Sequence, residues 1–104
     1  MNITVDKNGE NLTINVEGRI DANTSNEFMN KINENLEGAK NVVIDFEKVE
    51  YISSAGLRVL LSTEKTMKGQ GKLTLIHVND VVMEVLNITG FVDILNISTT
   101  SISS

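Results

Sequence analysis

Two adjacent hydroxyls, Ser53-Ser54, are the residues of this chain best placed to do chemistry. They stand directly before Ala55-Gly56-Leu57 and a helical pattern. Behind them lie Val42-Val43-Ile44-Asp45, an apolar run that ends in an acid, and then Tyr51-Ile52. A helix beginning at the serines turns unpaired N–H groups and the positive end of its dipole toward them. Serine is a favoured cap at such a place. A phosphate is also held well there, and a phosphoserine would add about −2 charge. The local pattern leaves cap and phosphorylation site both open. Asp45 and Asp21 read as acids at strand ends, where ligands gather in open α/β sheets. The plainer reading makes Asp45 a satisfied acid capping nearby N–H groups, and Asp21 the start of a loop.

Other candidate chemistry is thin. His77 is the only histidine, and it follows an apolar strand with no serine or acid at a telling spacing, so a structural role is expected. Gly69-Gln70-Gly71-Lys72 precedes a strand, whereas a phosphate cradle precedes a helix. G-x-G-x-x-G, H-E-x-x-H and G-x-S-x-G are all missing. The chain has no cysteine, which excludes disulfides, thiolate metal sites and a cysteine nucleophile. Glu47, Lys48, Glu50 and Arg58 read as surface charges. No enzyme, cofactor or metal centre is expected.

The bulk properties point the same way. A chain of 104 residues, 40% hydrophobic, predicts one domain with a modest core. Fourteen acids against nine basic residues give a net charge of −5, which argues against the basic stripe a nucleic-acid surface needs. One tyrosine and three phenylalanines leave little for base stacking. No basic n-region precedes an apolar run at the N-terminus, and no apolar run approaches the ~18 residues of a spanning helix. The expectation is a cytoplasmic protein with no membrane insertion and a protein partner that is basic or neutral at the contact.

The elements that must position these residues follow from periodicity. Ile3 and Val5 alternate with polar neighbours, as do Leu12, Ile14 and Val16, so a hairpin turning within Asp6–Asn11 is predicted, with one wet face. Thr24-Ser25-Asn26-Glu27 reads as a capping box for a helix with Phe28, Ile32 and Leu36 inward, ended by Gly38. Val42–Phe46 is the central strand, its solid apolar run suggesting burial on both faces. A second helix runs from Ser54 to Lys68. Leu73, Leu75 and Ile76 make the next strand. A third helix spans Asp80–Thr89 with Val81, Val82, Val85 and Leu86 as its stripe and Gly90 as its stop. Ile94, Leu95 and Ile97 form a last strand, and residues 98–104 a Ser/Thr-rich tail predicted to fray, leaving a domain over 1–97. The order ββαβαβαβ implies right-handed crossovers and a four- to five-stranded mixed α/β sheet with helices mainly on one face.

Taken together, the motifs Gly18-Arg19-Ile20-Asp21, Val43-Ile44-Asp45-Phe46 and Tyr51-Ile52-Ser53-Ser54-Ala55-Gly56-Leu57-Arg58-Val59-Leu60-Leu61 resemble those of the anti-sigma factor antagonists, stand-alone STAS domains. Gly71-Lys72-Leu73-Thr74-Leu75 and Val85-Leu86-Asn87-Ile88-Thr89-Gly90-Phe91 extend the likeness over nearly the whole chain. The resemblance implies a STAS fold and partner switching. The unmodified protein binds an anti-sigma factor that is also a serine kinase, phosphorylation at the start of helix two releases it, and a PP2C-type phosphatase restores it. Some relatives carry Asp-Ser-Ser-Gly or Asp-Ser-Thr-Gly here. Aligned on Gly56-Leu57, their acid falls on Ser53, their first serine on Ser54 and their next hydroxyl on Ala55. Ser54 is thereby the implied phosphoacceptor, with Ser53 second. Asp21, Ser53, Ser54, Ala55, Gly56 and Arg58 form the implied partner surface. Rival readings are a STAS scaffold in a signalling assembly, an accessory subunit of a membrane transporter, or a response-regulator-like phosphoacceptor. The last would need paired acids after the first strand.

Overall fold

The computed structural model describes residues 1–98. Its elements are strand β1 (Asn2–Asn8), β2 (Asn11–Ile20), helix α1 (Ser25–Asn33), β3 (Asn41–Ile52), α2 (Ser54–Lys68), β4 (Lys72–Ile76), α3 (Asp80–Thr89), a 3-10 turn (Phe91–Asp93) and β5 (Asn96–Ile97). The sheet has five strands in the order β1-β2-β3-β4-β5, with β1 antiparallel to β2 and every later pair parallel. Each new parallel strand is laid beside the last in one direction. Right-handed crossovers then send every helix to the same side.

The burial pattern records that layering. Leu12, Ile14, Val16 and Ile20 of β2, Val42, Ile44 and Phe46 of β3, and Leu73 and Leu75 of β4 are buried against Phe28, Ile32, Leu60, Met67, Val82 and Leu86 of the helices. The opposite face carries Thr13, Val43 and Thr74 in register, then Asn15, Asp45 and Ile76. The central strand is therefore not covered on both sides. Val43 lies half-buried on the open face, and the apolar run Val42-Val43-Ile44 contributes two residues to the core.

Strand β3 also runs six residues past the predicted Phe46, so Asp45 sits within it and not at its end. Two irregularities made that length unreadable. Between Asn15 and Glu17 of β2 the partner advances from Asp45 to Lys48, and between Gly18 and Arg19 it advances from Val49 to Tyr51. Each places one extra residue in β3 and switches which side chains face inward. Core contacts accordingly pass from Phe46 to Val49 to Ile52.

Local chemistry sets the remaining boundaries. The hairpin turn is only Gly9-Glu10, since Asn8 still pairs with Asn11 and Asp6 with Thr13. Gly9 has φ +63° and Glu10 does not share that sign, the glycine-first two-residue turn that matches strand twist. The capping box does not form. Thr24 stands at the N-cap of α1, but its hydroxyl accepts the Asp21 N–H (2.9 Å) and donates to the Arg19 carbonyl (2.8 Å). Helix α1 stops at Asn33, five residues before Gly38. The Asn35 amide donates to the Lys31 carbonyl, and the Gln70 amide donates to the Leu36 and Ala39 carbonyls, so side chains replace further helical bonds. α2 and α3 have the predicted bounds, although Val81 faces solvent and only Val82 and Leu86 of the α3 stripe are fully buried. Ile94 precedes the last strand and is exposed. Ser98 donates its N–H to the Leu75 carbonyl (2.9 Å), and the rest of the predicted tail lies outside the described residues.

Candidate functional site

The parallel pairing of β2 and β3 ends with Ile20 opposite Ile52. The loop that leaves β2 and the helix that leaves β3 must then start side by side. One hydrogen bond fixes the junction: the Ser53 N–H donates to the Ile20 carbonyl (2.8 Å). Asp21, Ser53 and Ser54 are thereby brought to the end of the sheet where β2 and β3 finish.

The two serines differ in kind. Ser53 is the N-cap, in extended conformation (φ −99°, ψ 179°), and its carbonyl accepts the Leu57 N–H (3.0 Å). Its side chain makes no cap bond, and Oγ is enclosed without a hydrogen-bond partner among the described residues. Ser54 is the first residue of α2 and is exposed. No acidic residue stands in the first turn of α2, so nothing there opposes a negative charge.

Gly56 lets α2 reach this position. A Cβ on it would lie 2.6 Å from Ile20 Cγ2 and 2.7 Å from Ile52 Cγ1. The helix therefore rests on the last core residues of both strands, at a distance only glycine permits. Leu57 is buried beside it, Ala55 is half-buried and Arg58 is exposed.

Asp21 organises the neighbouring loop. Its Oδ1 accepts the N–H groups of Asn23 (2.9 Å) and Thr24 (3.2 Å), and its carbonyl accepts the N–H of Ser25 (2.8 Å). The loop-start reading of Asp21 holds, with the carboxylate half-buried. Arg19 Nε lies 3.9 Å from Asp21 Oδ2, and the Arg19 guanidinium stands 4.9 Å above the Tyr51 ring. Sequence reasoning did not single out this stacked pair. Its signal was the parallel register Arg19 to Tyr51, which the two extra residues of β3 conceal.

A second group lies elsewhere, where β4 ends. Asp45 Oδ1 accepts the Glu47 N–H (2.9 Å) at the first irregularity of β3, which agrees with the satisfied-acid reading. The same oxygen lies 3.0 Å from His77 Nδ1. His77 thus has an acidic partner, which comes from the adjacent strand and not from any short spacing.

The STAS domain family model matches residues 2–103. The chain is 33% identical to the anti-sigma-B factor antagonist of Bacillus subtilis over 104 residues, 97% of this chain and 95% of that protein. It is 45% identical over 58 residues to BtrV of Bordetella bronchiseptica, described as an anti-sigma factor antagonist, spanning 55% of this chain and half the length (50%) of that relative. The fold matches the anti-sigma factor antagonist SpoIIAA in its unphosphorylated form, with TM-score 0.80, 17% identity and 94% and 89% of the two chains covered. It also matches SpoIIAA of Bacillus in the phosphorylated form, with TM-score 0.72, 16% identity and coverage of 94% and 92%. With the family model over nearly the whole sequence and a relative aligned end to end, the chain belongs to the STAS-domain family of anti-sigma factor antagonists.

Proposed function

We propose that this protein is a cytoplasmic anti-sigma factor antagonist that works by partner switching, with Ser54 as its switch. It acts by binding and carries out no catalysis of its own. In the unphosphorylated state the edge formed by Asp21, Ser53, Ser54, Ala55, Gly56 and Arg58 docks an anti-sigma factor with serine kinase activity. Transfer of the γ-phosphoryl group to the Ser54 hydroxyl places a dianion at the centre of that edge and ends the complex. A PP2C-type phosphatase hydrolyses the phosphoserine and restores the binding form.

The observation that carries this reading is the contrast between the serines: Ser54 stands exposed at the first position of α2, while the Ser53 hydroxyl is enclosed. The domain can hold the phosphate without strain. Helix N–H groups and the dipole favour it, and Arg58 lies four residues on, along the same helix face. A partner seated there must instead desolvate or repel the charge. The test is to incubate the chain with a cognate anti-sigma factor kinase and ATP and locate the phosphate by mass spectrometry. One phosphate on Ser54, absent in Ser54→Ala, is expected. Phosphate on Ser53, or none at all, overturns the assignment.

A further inference from the structure

Asp45, Glu47 and His77 each present one ligand atom, and these atoms lie within 4.8 Å of one another. We propose that they form a binding site for a single divalent transition-metal ion of the Zn²⁺ class, between β3 and the turn that follows β4. The site is separate from the Ser54 edge and independent of the switch.

The donor set selects the ion. One imidazole nitrogen with two carboxylate oxygens suits Zn²⁺, Co²⁺ or Ni²⁺, whereas Mg²⁺ and Ca²⁺ take oxygen cages. First-row ions hold such atoms at about 2.0–2.2 Å, so neighbouring donors of a tetrahedral ion stand about 3.4 Å apart. Separations of up to 4.8 Å close by rotation of exposed side chains. Water would complete the shell, as it does wherever three protein ligands hold such an ion.

Three further observations support the assignment. First, among the described residues no lysine or arginine pairs with either carboxylate; the sole ion-pair partner is His77 on Asp45. A dication supplies the missing charge. Second, Asp45 is already fixed, since its Oδ1 accepts the Glu47 N–H and its side chain is only 18% exposed. Part of the ordering is therefore done before any ion arrives. Third, Asp45 and Glu47 border an open polar hollow of about 310 Å³ on the uncovered sheet face, shared with Asn15, Glu17 and Lys48. The hollow reaches the two carboxylates, and His77 lies outside its lining.

The chain offers a clean background for a test, because it has one histidine and no cysteine. The tag-free 104-residue chain is titrated with Zn²⁺ by calorimetry, with thermal melts recorded alongside. Saturable uptake of one ion per chain is expected, with a melting temperature that rises with Zn²⁺ but not with Mg²⁺. His77→Ala and, separately, Glu47→Gln are expected to weaken binding roughly tenfold or more. Glu47 is exposed, so its variant keeps the fold even if His77→Ala does not. No saturable one-to-one uptake up to about 1 mM Zn²⁺, or unchanged affinity in Glu47→Gln, overturns the proposal.

Discussion

At Ser53 and Ser54 one backbone step separates an enclosed hydroxyl from an exposed one, and that difference assigns them opposite energetics. A serine N-cap that bonds a helical N–H loses about 0.5–2 kcal/mol when replaced by alanine. Ser53 makes no such bond, and its Oγ is enclosed with no hydrogen-bond partner among the described residues. Removing an unsatisfied polar atom relieves a desolvation cost. Ser53→Ala is therefore expected to leave stability unchanged or raise it by up to about 1 kcal/mol in urea unfolding, and a loss of cap magnitude would contradict the geometry. Ser54→Glu behaves otherwise. An exposed acid at a helix N-terminus is worth about 0.3–1 kcal/mol, so the melt should hold or rise slightly. The same charge in a docked interface costs about 2–5 kcal/mol, and a loss of about 1.4 kcal/mol is already tenfold in affinity. Calorimetric titration against the anti-sigma factor should show weaker binding for Ser54→Glu, less so than for real phosphoserine, which carries more charge. Binding as tight as wild type would place the interface elsewhere.

At the scale of elements, the helices α2 and α3 were legible and the strands less so. Helix bounds at Ser54, Lys68, Asp80 and Thr89 follow from glycines and polar caps, which act locally. The sequence pattern ends β3 at Phe46, where polar residues follow, yet those residues are where β3 takes in two extra positions and shifts its inward face. No single-strand pattern shows this, because it depends on which residue of β2 lies opposite. The capping box failed for a similar reason: Asp21, outside the box, claimed the Thr24 hydroxyl and the neighbouring N–H groups. The Asp45–His77 contact joins residues 32 apart and needed the β3–β4 pairing to be seen. Gly56 is the element-scale residue with the sharpest consequence. Alanine gains about 1 kcal/mol of helix propensity over glycine. Its Cβ, however, would meet Ile20 Cγ2 at 2.6 Å and Ile52 Cγ1 at 2.7 Å, neither of them the far end of a flexible chain. Overpacking of this kind costs about 1–3 kcal/mol. Net of the propensity gain, Gly56→Ala should destabilise the fold by up to about 2 kcal/mol in urea unfolding and lift the start of α2, weakening partner binding with Ser54 intact. A midpoint raised by the full propensity gain of about 1 kcal/mol would mean that α2 does not rest on the strand ends.

The whole molecule is a two-layer body, with helices on one side of the sheet and a polar surface on the other. The sequential strand order dictates this arrangement, since same-handed crossovers along one direction never reach the second face. The alternation of β1 and β2 announced the open face, whereas the run Val42-Val43-Ile44 suggested the opposite. Burial separates these neighbours: Ile44 is fully buried, and Val43 is half-buried between Thr13 and Thr74. One substitution made at both positions reads out the layering. Val43→Thr adds a hydroxyl on a surface already lined by threonines, where water satisfies it, and should cost no more than about 0.5 kcal/mol. Ile44→Thr removes buried apolar volume and leaves an unpaired hydroxyl in the core. The cavity and the desolvated group together should cost about 2–4 kcal/mol, a large share of the roughly 5–15 kcal/mol that holds a domain of this size. Urea unfolding of the two variants measures both. A wide gap between their midpoints follows from a sheet covered on one side only, while equal losses would require a second layer over Val43.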